Sequence, residues 1–363
     1  MFKAAYHNRR VLITGHTGFK GSWLAVWLSQ MGAKITGYSL QPPTQPNHFQ
    51  LLDLDINSVN GDIRDLDKLK AVFREQQPEI VFHLAAQAIV RLSYRDPVET
   101  FTSNVMGTVN VLEAARSTET VRAIVNVTSD KCYENREWLW GYREVDALGG
   151  HDPYSASKGC CEIVTGCWRR SFFNPKDYGT SHQTLLASTR AGNVIGGGDW
   201  APDRLIPDIV RAFHGNERVL IRNPQAIRPW QHVLEPLSGY LLLGQRLLEG
   251  RKEFAEAWNF GPPEEDAVTV EELANQTKRF WPEIDYEFRE NSDGLHEAGT
   301  LRLDCSKARA GLRWKPVWDV GTAIQKTILW YRAFYESQRI TSLEDIDAYI
   351  KYAKNKDLIW ADA

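Results

Sequence analysis

The chain has 363 residues, a quarter of them charged, with 43 Lys and Arg against 46 Asp and Glu for a net charge of −3. That length suits one large domain with a smaller lobe, and the near balance of charge gives no sign of a nucleic-acid or membrane-surface binder. The five cysteines, Cys132, Cys160, Cys161, Cys167 and Cys305, form no CxxC pair, so neither a disulfide framework nor a metal site is expected. No run approaches the roughly 20 apolar residues of a membrane span, and no signal-type segment follows the basic N-terminus, so the expectation is a cytoplasmic protein.

Val11–Thr14 reads as a strand, and Phe19–Met31 as a helix with Trp23, Leu24, Trp27, Leu28 and Met31 at helical spacing. Lys34–Tyr38 is a second strand and the Pro-rich segment Gln41–Asn47 a loop. A short strand near Ser58, a helix from about Asp65 to Gln76, a strand Glu79–His83, a helix Val98–Arg116 and a strand Arg122–Thr128 follow. Asp152-Pro153 has the form of an N-cap with Pro at the first helical position, opening a helix that runs to about Arg170. Thr184–Arg190 is a strand, Gly192–Pro207 a loop over a site, Pro236–Leu248 a helix, and Ala257–Phe260 a short strand returning to the sheet. Near-continuous apolar strands alternating with helices predict a Rossmann-type, doubly wound parallel sheet with a smaller C-terminal α/β lobe. Residues 1–190, with about 231–260 returning, form the expected dinucleotide domain. Residues 191–230 and 261–340 form the substrate lobe, and 341–363 a helical tail.

Two motifs carry chemistry. Gly15-His16-Thr17-Gly18-Phe19-Lys20-Gly21 joins the first strand to the first helix. Glycines there allow a tight turn and a close approach of backbone to a pyrophosphate, which the helix N-terminus attracts. The cradle is expected to use Gly15, Thr17, Gly18, Phe19 and Gly21. The second strand ends Tyr38-Ser39-Leu40, with no acid for the ribose hydroxyls and no Arg for a 2′-phosphate. With nothing basic nearby the reading leans to NAD over NADP. Asp62 and Ile63 are expected near the adenine.

Tyr154 and Lys158 stand i, i+4 on one helix face. An ammonium there is expected to lower the phenol's pKa of about 10 toward that of a working base, and the lysine can also hold the nicotinamide ribose. Ser129, at a strand's C-terminal end, can share a substrate hydroxyl with Tyr154. Asp130 and Lys131 follow it directly, where parallel sheets place ligands.

Gly15/Gly18/Gly21, His83-Leu84-Ala85-Ala86, Asn104, Ser129, Tyr154/Lys158 and Arg190-Ala191-Gly192-Asn193-Val194 together resemble the extended short-chain dehydrogenase/reductase family over nearly the whole chain. The stretches Thr128–Tyr133, Trp138–Glu144 and Gly149–Tyr154 resemble more specifically its nucleotide-sugar 4,6-dehydratases, those acting on CDP-D-glucose. The resemblance implies retained NAD, contacted also by Leu84, Ala85 and Ala86. It implies a nucleotide-diphosphate hexose as substrate, a place in deoxysugar biosynthesis and a homodimer joined through a four-helix bundle. Substrate contacts are expected from Asn193, Arg204 and Arg228, with Gln87 and Arg91 facing sugar or cofactor.

An epimerase of this family needs only hydride out and back. Water loss needs an acid for the C6 hydroxyl and a base for the C5 proton. Related dTDP-glucose dehydratases resemble an Asp-Glu pair at this place, so Asp130 matches the acid and Lys131 stands where the base would be. A lysine at its ordinary pKa of about 10.4 is a poor base, so burial and cationic neighbours would have to lower it, or Lys131 stabilises an enolate instead. The rivals are a 4-epimerase and a silent dinucleotide-binding protein. Intact Ser129, Tyr154 and Lys158 speak against the silent one.

Overall fold

The computed structural model describes residues 1–215, 217–263, 266–289 and 300–362. In the first half, strands and helices alternate as β1 (Arg10–Thr14), α1 (Phe19–Gln30), β2 (Lys34–Ser39), α2 (His48–Leu52), β3 (Asn57–Asn60), α3 (Leu66–Gln76) and β4 (Ile80–His83). They continue as α4 (Val90–Arg95), α5 (Pro97–Phe101), α6 (Gly107–Arg116), β5 (Ala123–Val127), α7 (Pro153–Ser171) and β6 (Leu185–Ala191). With Ala257–Phe260, these strands form a parallel sheet whose order is Ala257–Phe260, β6, β5, β4, β1, β2, β3. The strand order reverses between β1 and β4, so the crevice that holds ligands in such sheets opens above their C-terminal ends.

Sequence explains most of these elements. β4, β5 and β6 are apolar or small along their length and buried throughout, as strands covered on both faces must be. α3 is amphipathic, burying Leu69, Val72 and Phe73, and Asp65 caps it by accepting the Lys68 N–H at 3.0 Å. α1 is different: Trp23 through Leu28 are all buried, because the helix lies between the sheet side and the later helices Leu234–Leu248 and Ser342–Asn355.

Three segments add detail to the sequence expectation. The helix expected over Val98–Arg116 is continuous from Pro97 to Arg116, α5 running into α6 through one wide, π-type turn, Thr102–Met106, with helical backbone angles at both junctions, and α4 lies ahead of it. Pro97 has no N–H to continue α4 and instead starts α5, capped by Asp96 accepting from Glu99 N at 3.0 Å. The loop after Gln41 turns into α2, which Asn47 caps. The segment expected to be a loop over Gly192–Pro207 contains a strand, Val194–Ile195, paired with Gln231–His232, and its end enters a helix, Leu205–His214.

The C-terminal lobe is built from small ladders. Ile227–Pro229 runs antiparallel to Ala267–Thr269, and Val219–Arg222 runs parallel to Tyr286–Arg289. Thr269 and Glu272 form a capping box at the start of Val270–Phe280. Trp200, Trp330, Tyr331 and Phe334 pack edge-on and stacked together, with ring centroids 5.2–5.8 Å apart. Trp200 is thus a core residue. Residues 264–265 and 290–299 of the expected substrate lobe, with residues 216 and 363, lie outside the described residues.

Candidate active site

The glycine cradle forms at the reversal point. Gly15 has φ +78° and donates its N–H to the Tyr38 carbonyl at 2.9 Å. A Cβ there would meet the Ala85 backbone at 2.8 Å, and one on Gly21 would come within 2.1 Å of the Gly15 carbonyl oxygen. Gly18 caps α1 and donates to the Gly15 carbonyl at 3.1 Å. The Thr17 hydroxyl meets that of Ser39 at 2.8 Å, at the end of β2. Across the crevice, the Thr14 hydroxyl accepts the Leu84 and Ala85 N–H groups at 3.2 Å each and donates to Nδ1 of His83, 2.7 Å away. Burial pushes that imidazole down to about 3, so it is neutral and able to accept. The Leu84–Ala86 segment is therefore laced to the cradle. The Asp62 carboxylate accepts from the Arg64 N–H and guanidinium, and Ile63 is buried against Gly107.

The candidate chemical groups gather one strand away. Ser129 leaves β5 and caps a short turn, Asp130–Cys132, its hydroxyl accepting the Lys131 N–H at 3.2 Å and lying 3.0 Å from Asp130 Oδ1. The Asp130 side chain is 3% exposed, and the Lys131 ammonium, on a side chain 34% exposed, pairs with it at 3.5 Å. Tyr154 and Lys158, both buried, come from the first turns of α7, which Asp152 caps through the Ser155 N–H at 2.9 Å. The phenol does not behave as expected from its neighbour. Burial raises it to about 12, against the pull of the Ser129 hydrogen bond and the Arg204 charge. Burial likewise pushes Lys158 below its ordinary value. In the protein alone burial is the largest influence on the phenol and raises it, against the expectation of a lowered value.

A buried network holds this constellation. Glu162, one turn beyond Lys158, pairs with Arg190 of β6 at 2.8 Å and also accepts from the Thr128 and Ser188 hydroxyls. Arg190 donates to the Tyr133 phenol at 2.6 Å and lies over its ring, and Tyr133 donates to Asn259 of the returning strand at 2.8 Å. The residues flanking Asp130 are thus fixed to α7, β6 and the last strand at once. Asn104, in the wide turn before α6, accepts the Gln87 N–H at 2.8 Å and donates to Ser157 at 2.8 Å.

On the substrate side, Arg204 donates to Asp199 at 2.7 Å and acts electrostatically on Tyr154. Gly192 packs so closely that an added Cβ would stand 3.0 Å from Asp130 Oδ2. Next to it is a pocket lined by Gly192, Pro229, Gly261, Pro262, Arg302 and Leu303. Asn193 and Arg228 flank that lining and are partly buried, and the Asn193 carbonyl accepts the Gln231 N–H at 3.1 Å. Arg91 reaches Asp203 at 3.9 Å, at the loop's other end. Gln87 spends its carboxamide locally, donating to Thr100 at 2.9 Å and to the Ile89 carbonyl, and accepting the Ile89 N–H.

Glu162, Tyr133 and Lys20 were not singled out by the motifs. Lys20 sits in the first turn of α1 and interacts with Asp130, Arg204, Lys158 and Lys131. Burial pushes its amine down to about 8, Asp130 acting the other way and the three cations adding to the drop. The signal in the sequence was a lysine in a helix's first turn, where the dipole disfavours a cation. The cysteines are free, and no group of three His, Cys, Asp or Glu able to hold a metal occurs among the described residues.

The model of the GDP-mannose 4,6-dehydratase family matches residues 12–327. The chain belongs to this dehydratase family. It is 51% identical to a CDP-glucose 4,6-dehydratase of Salmonella typhimurium over 96% of this chain and 98% of that one. A dTDP-glucose 4,6-dehydratase of the same organism is 25% identical over 89% of this chain and 93% of its own. The fold is shared with a dTDP-glucose 4,6-dehydratase of Streptomyces venezuelae at a TM-score of 0.75, 23% identity and coverage of 89% and 96%.

Proposed function

We infer that the protein is an NAD-dependent CDP-D-glucose 4,6-dehydratase, a hydro-lyase that forms CDP-4-dehydro-6-deoxy-D-glucose and water. The observation that carries this is the buried Asp130 carboxyl, paired with Lys131 beside Tyr154, in a chain half identical to a CDP-glucose 4,6-dehydratase. The cradle fits a dinucleotide, since Gly15 and Gly21 leave the backbone bare where a side chain would fill it. Gly15, Thr17, Gly18, Phe19, Gly21 and Leu84–Ala86 would hold NAD, with Asp62 and Ile63 at its adenine end and Lys158 at its nicotinamide ribose. NAD, when bound, accepts the C4 hydride and returns it to C6.

The chain's own residues handle the protons. Tyr154, hydrogen-bonded to Ser129, takes the proton from O4. The ketone that results acidifies C5–H, and Lys131 receives that proton or steadies the enolate. Asp130 gives its proton to the departing C6 hydroxyl, which leaves as water. The books close: the O4 proton gained at Tyr154 replaces the one Asp130 loses, and C5 recovers a proton. Arg228 suits the pyrophosphate through a guanidinium fork, and Asn193 and Arg204 line the sugar-nucleotide wall, while Gln87 keeps its carboxamide on Thr100 and Ile89. The sheet domain, residues 1–190 with about 231–260, would carry NAD. The lobe, 191–230 and 261–340, would carry the nucleotide sugar, and 341–363 the tail.

Incubation with CDP-, dTDP-, UDP- and GDP-hexoses, with and without added NAD, tests the reading. Loss of one water from CDP-glucose, without accumulated NADH, supports it. A product of unchanged mass favours epimerisation.

A homodimer is also proposed. Val98 (72% exposed), Met106 (49%) and Ile163 (58%) leave apolar side chains exposed on α5, the wide turn Thr102–Met106 and α7, which a second copy would cover as a four-helix bundle. Solution mass tests it. No helix among the described residues is long and apolar enough to cross a membrane. A cytoplasmic place in deoxysugar supply, as for lipopolysaccharide O-antigen, follows from the reaction proposed.

A further inference from the structure

The start of α7 carries a bond that the helix itself does not supply. A helix leaves its first N–H groups without partners in its own turns. In α7, Pro153 has no N–H, the Ser155 N–H goes to the Asp152 carboxylate at 2.9 Å, and the Ala156 N–H goes to the Asp152 carbonyl at 2.9 Å. That leaves the N–H of Tyr154. It is buried, and its acceptor comes from another element: the Ser93 hydroxyl oxygen of α4, at 3.1 Å. Ser93 is fully buried and donates its own hydrogen to the Val90 carbonyl at 2.6 Å, so towards Tyr154 it can only accept. The other side of the same residue is gripped as well. The Ser157 hydroxyl donates to the Tyr154 carbonyl at 2.7 Å and accepts from the Asn104 amide at 2.8 Å. The segment from α4 to the wide turn thus holds Tyr154 by both polar groups of its main chain.

We propose that Ser93 is a positioning residue for the oxidation at C4, setting where the Tyr154 phenol stands against the O4 hydroxyl. The inference rests on the dehydratase reading above. As C4 gives its hydrogen with the bonding pair to NAD, the O4 proton passes to the Tyr154 oxygen and the C4–O bond becomes a carbonyl. That proton moves over a hydrogen-bond length, and a misplacement of about 1 Å costs about a hundredfold in rate. Without the Ser93 oxygen a buried N–H is left unpaired, and Tyr154 finds a new acceptor only by moving its main chain. The phenol moves with it. Asp152 already closes the helix end, so the bond from Ser93 bears on this one residue more than on the helix as a whole.

The test uses the full chain as the parent, Ser93→Ala, Ser93→Cys and Asp319→Ala. A cysteine there keeps the shape of the serine side chain but accepts weakly. Asp319 accepts the Thr322 N–H at 2.7 Å at the start of another helix, Val320–Ser337, so its variant loses an ordinary helix cap. CDP-6-deoxy-D-glucose has no C6 hydroxyl to lose, so its reaction stops at the ketone. Nicotinamide absorbance then reads the oxidation rate constant, which does not depend on the fraction of chains folded. Hydrogen–deuterium exchange of the protein without ligands reads the start of α7. Ser93→Ala is expected to slow oxidation about tenfold at saturating NAD and analogue, with the analogue's Kd unchanged, and to speed exchange at Tyr154. Ser93→Cys moves both in the same direction. Asp319→Ala lowers the thermal midpoint and keeps the parent's oxidation rate constant. Oxidation at the parent's rate in Ser93→Ala, or in Ser93→Cys where the alanine variant does not fold, would overturn the role. So would a weakened Kd in place of a slower rate, or failure of both Ser93 variants to fold. A parent that neither oxidises the analogue nor removes water from CDP-glucose sinks the dehydratase reading itself, and the role of Ser93 falls with it.

Discussion

The sheet domain and the C-terminal lobe solve the placement of functional groups in opposite ways. In the sheet domain, Ser129, Asp130, Tyr154 and Lys158 sit at strand and helix ends locked by a buried polar network through Glu162, Arg190, Tyr133 and Asn259. In the lobe, Asn193, Arg204 and Arg228 sit on short strands and connections, and Trp200 packs with Trp330, Tyr331 and Phe334 into an aromatic cluster. Groups that move protons need fixed distances and controlled solvation, which a hydrogen-bonded network provides. Groups that grip a nucleotide can sit on connections above a rigid base. Damage to the first region should therefore appear in kcat and global stability, and damage to the second in KM.

The largest effect is expected at Tyr154. Tyr154→Phe removes the proton acceptor proposed for O4 and should lower kcat by about 10³-fold or more, with CDP-glucose binding retained. Steady-state kinetics beside equilibrium binding separates the two. Next comes Glu162→Ala, which strands the buried Arg190 guanidinium and frees Thr128 and Ser188. It should cost about 3–5 kcal/mol in denaturant unfolding, the scale for breaking one partner of a buried pair. A loss near zero would mean that the network is not what fixes the site. Arg228→Ala should raise KM for CDP-glucose by about tenfold to a hundredfold, in line with the loss of hydrogen bonds to a charged group, while kcat changes less. A fall in kcat alone would break the division between the regions.

The smallest effect concerns the seam between the two. Glu235, buried on the helix Leu234–Leu248, accepts from the Val317 and Trp318 N–H groups at 2.9 and 2.7 Å and from Tyr349 at 2.7 Å. Burial raises it from 4.5 to about 7. The folded state therefore binds this proton more tightly than the unfolded chain. The stability it contributes is present below about 4.5 and is lost as pH rises to about 7. Glu235→Gln cannot ionise, so its thermal midpoint should improve relative to the parent between pH 5 and pH 8. A pH-independent difference would show that Glu235 does not titrate in the seam.

Legibility in the sequence follows the same division. The parallel strands, the glycine turn and the Asp152-Pro153 start of α7 are written in local pattern, and the structure carries all of them. The wide turn inside the Val98–Arg116 helix was harder to see, because it is tied down by bonds from Asn104 to Gln87 and Ser157, far away in sequence. The pKa of Tyr154 could not be read from an i, i+4 lysine, since burial is a property of the packed site. Glu162 looked like an ordinary helix residue until Arg190, 28 positions on, supplied its partner. In the lobe, Arg204 and Arg228 were legible only through resemblance, because short irregular connections carry little periodic signal.

The most direct test follows one atom. CDP-D-glucose carrying deuterium at C4 is converted by the enzyme, and the product's mass and label position are read by mass spectrometry and NMR. A single active site holding phenol, carboxyl and amine together should give a 4-keto-6-deoxy sugar, one water lighter, with the deuterium on C6 of the same molecule. A hexose of unchanged mass with the label still at C4, or a dehydrated product with the deuterium lost to solvent, would contradict the account.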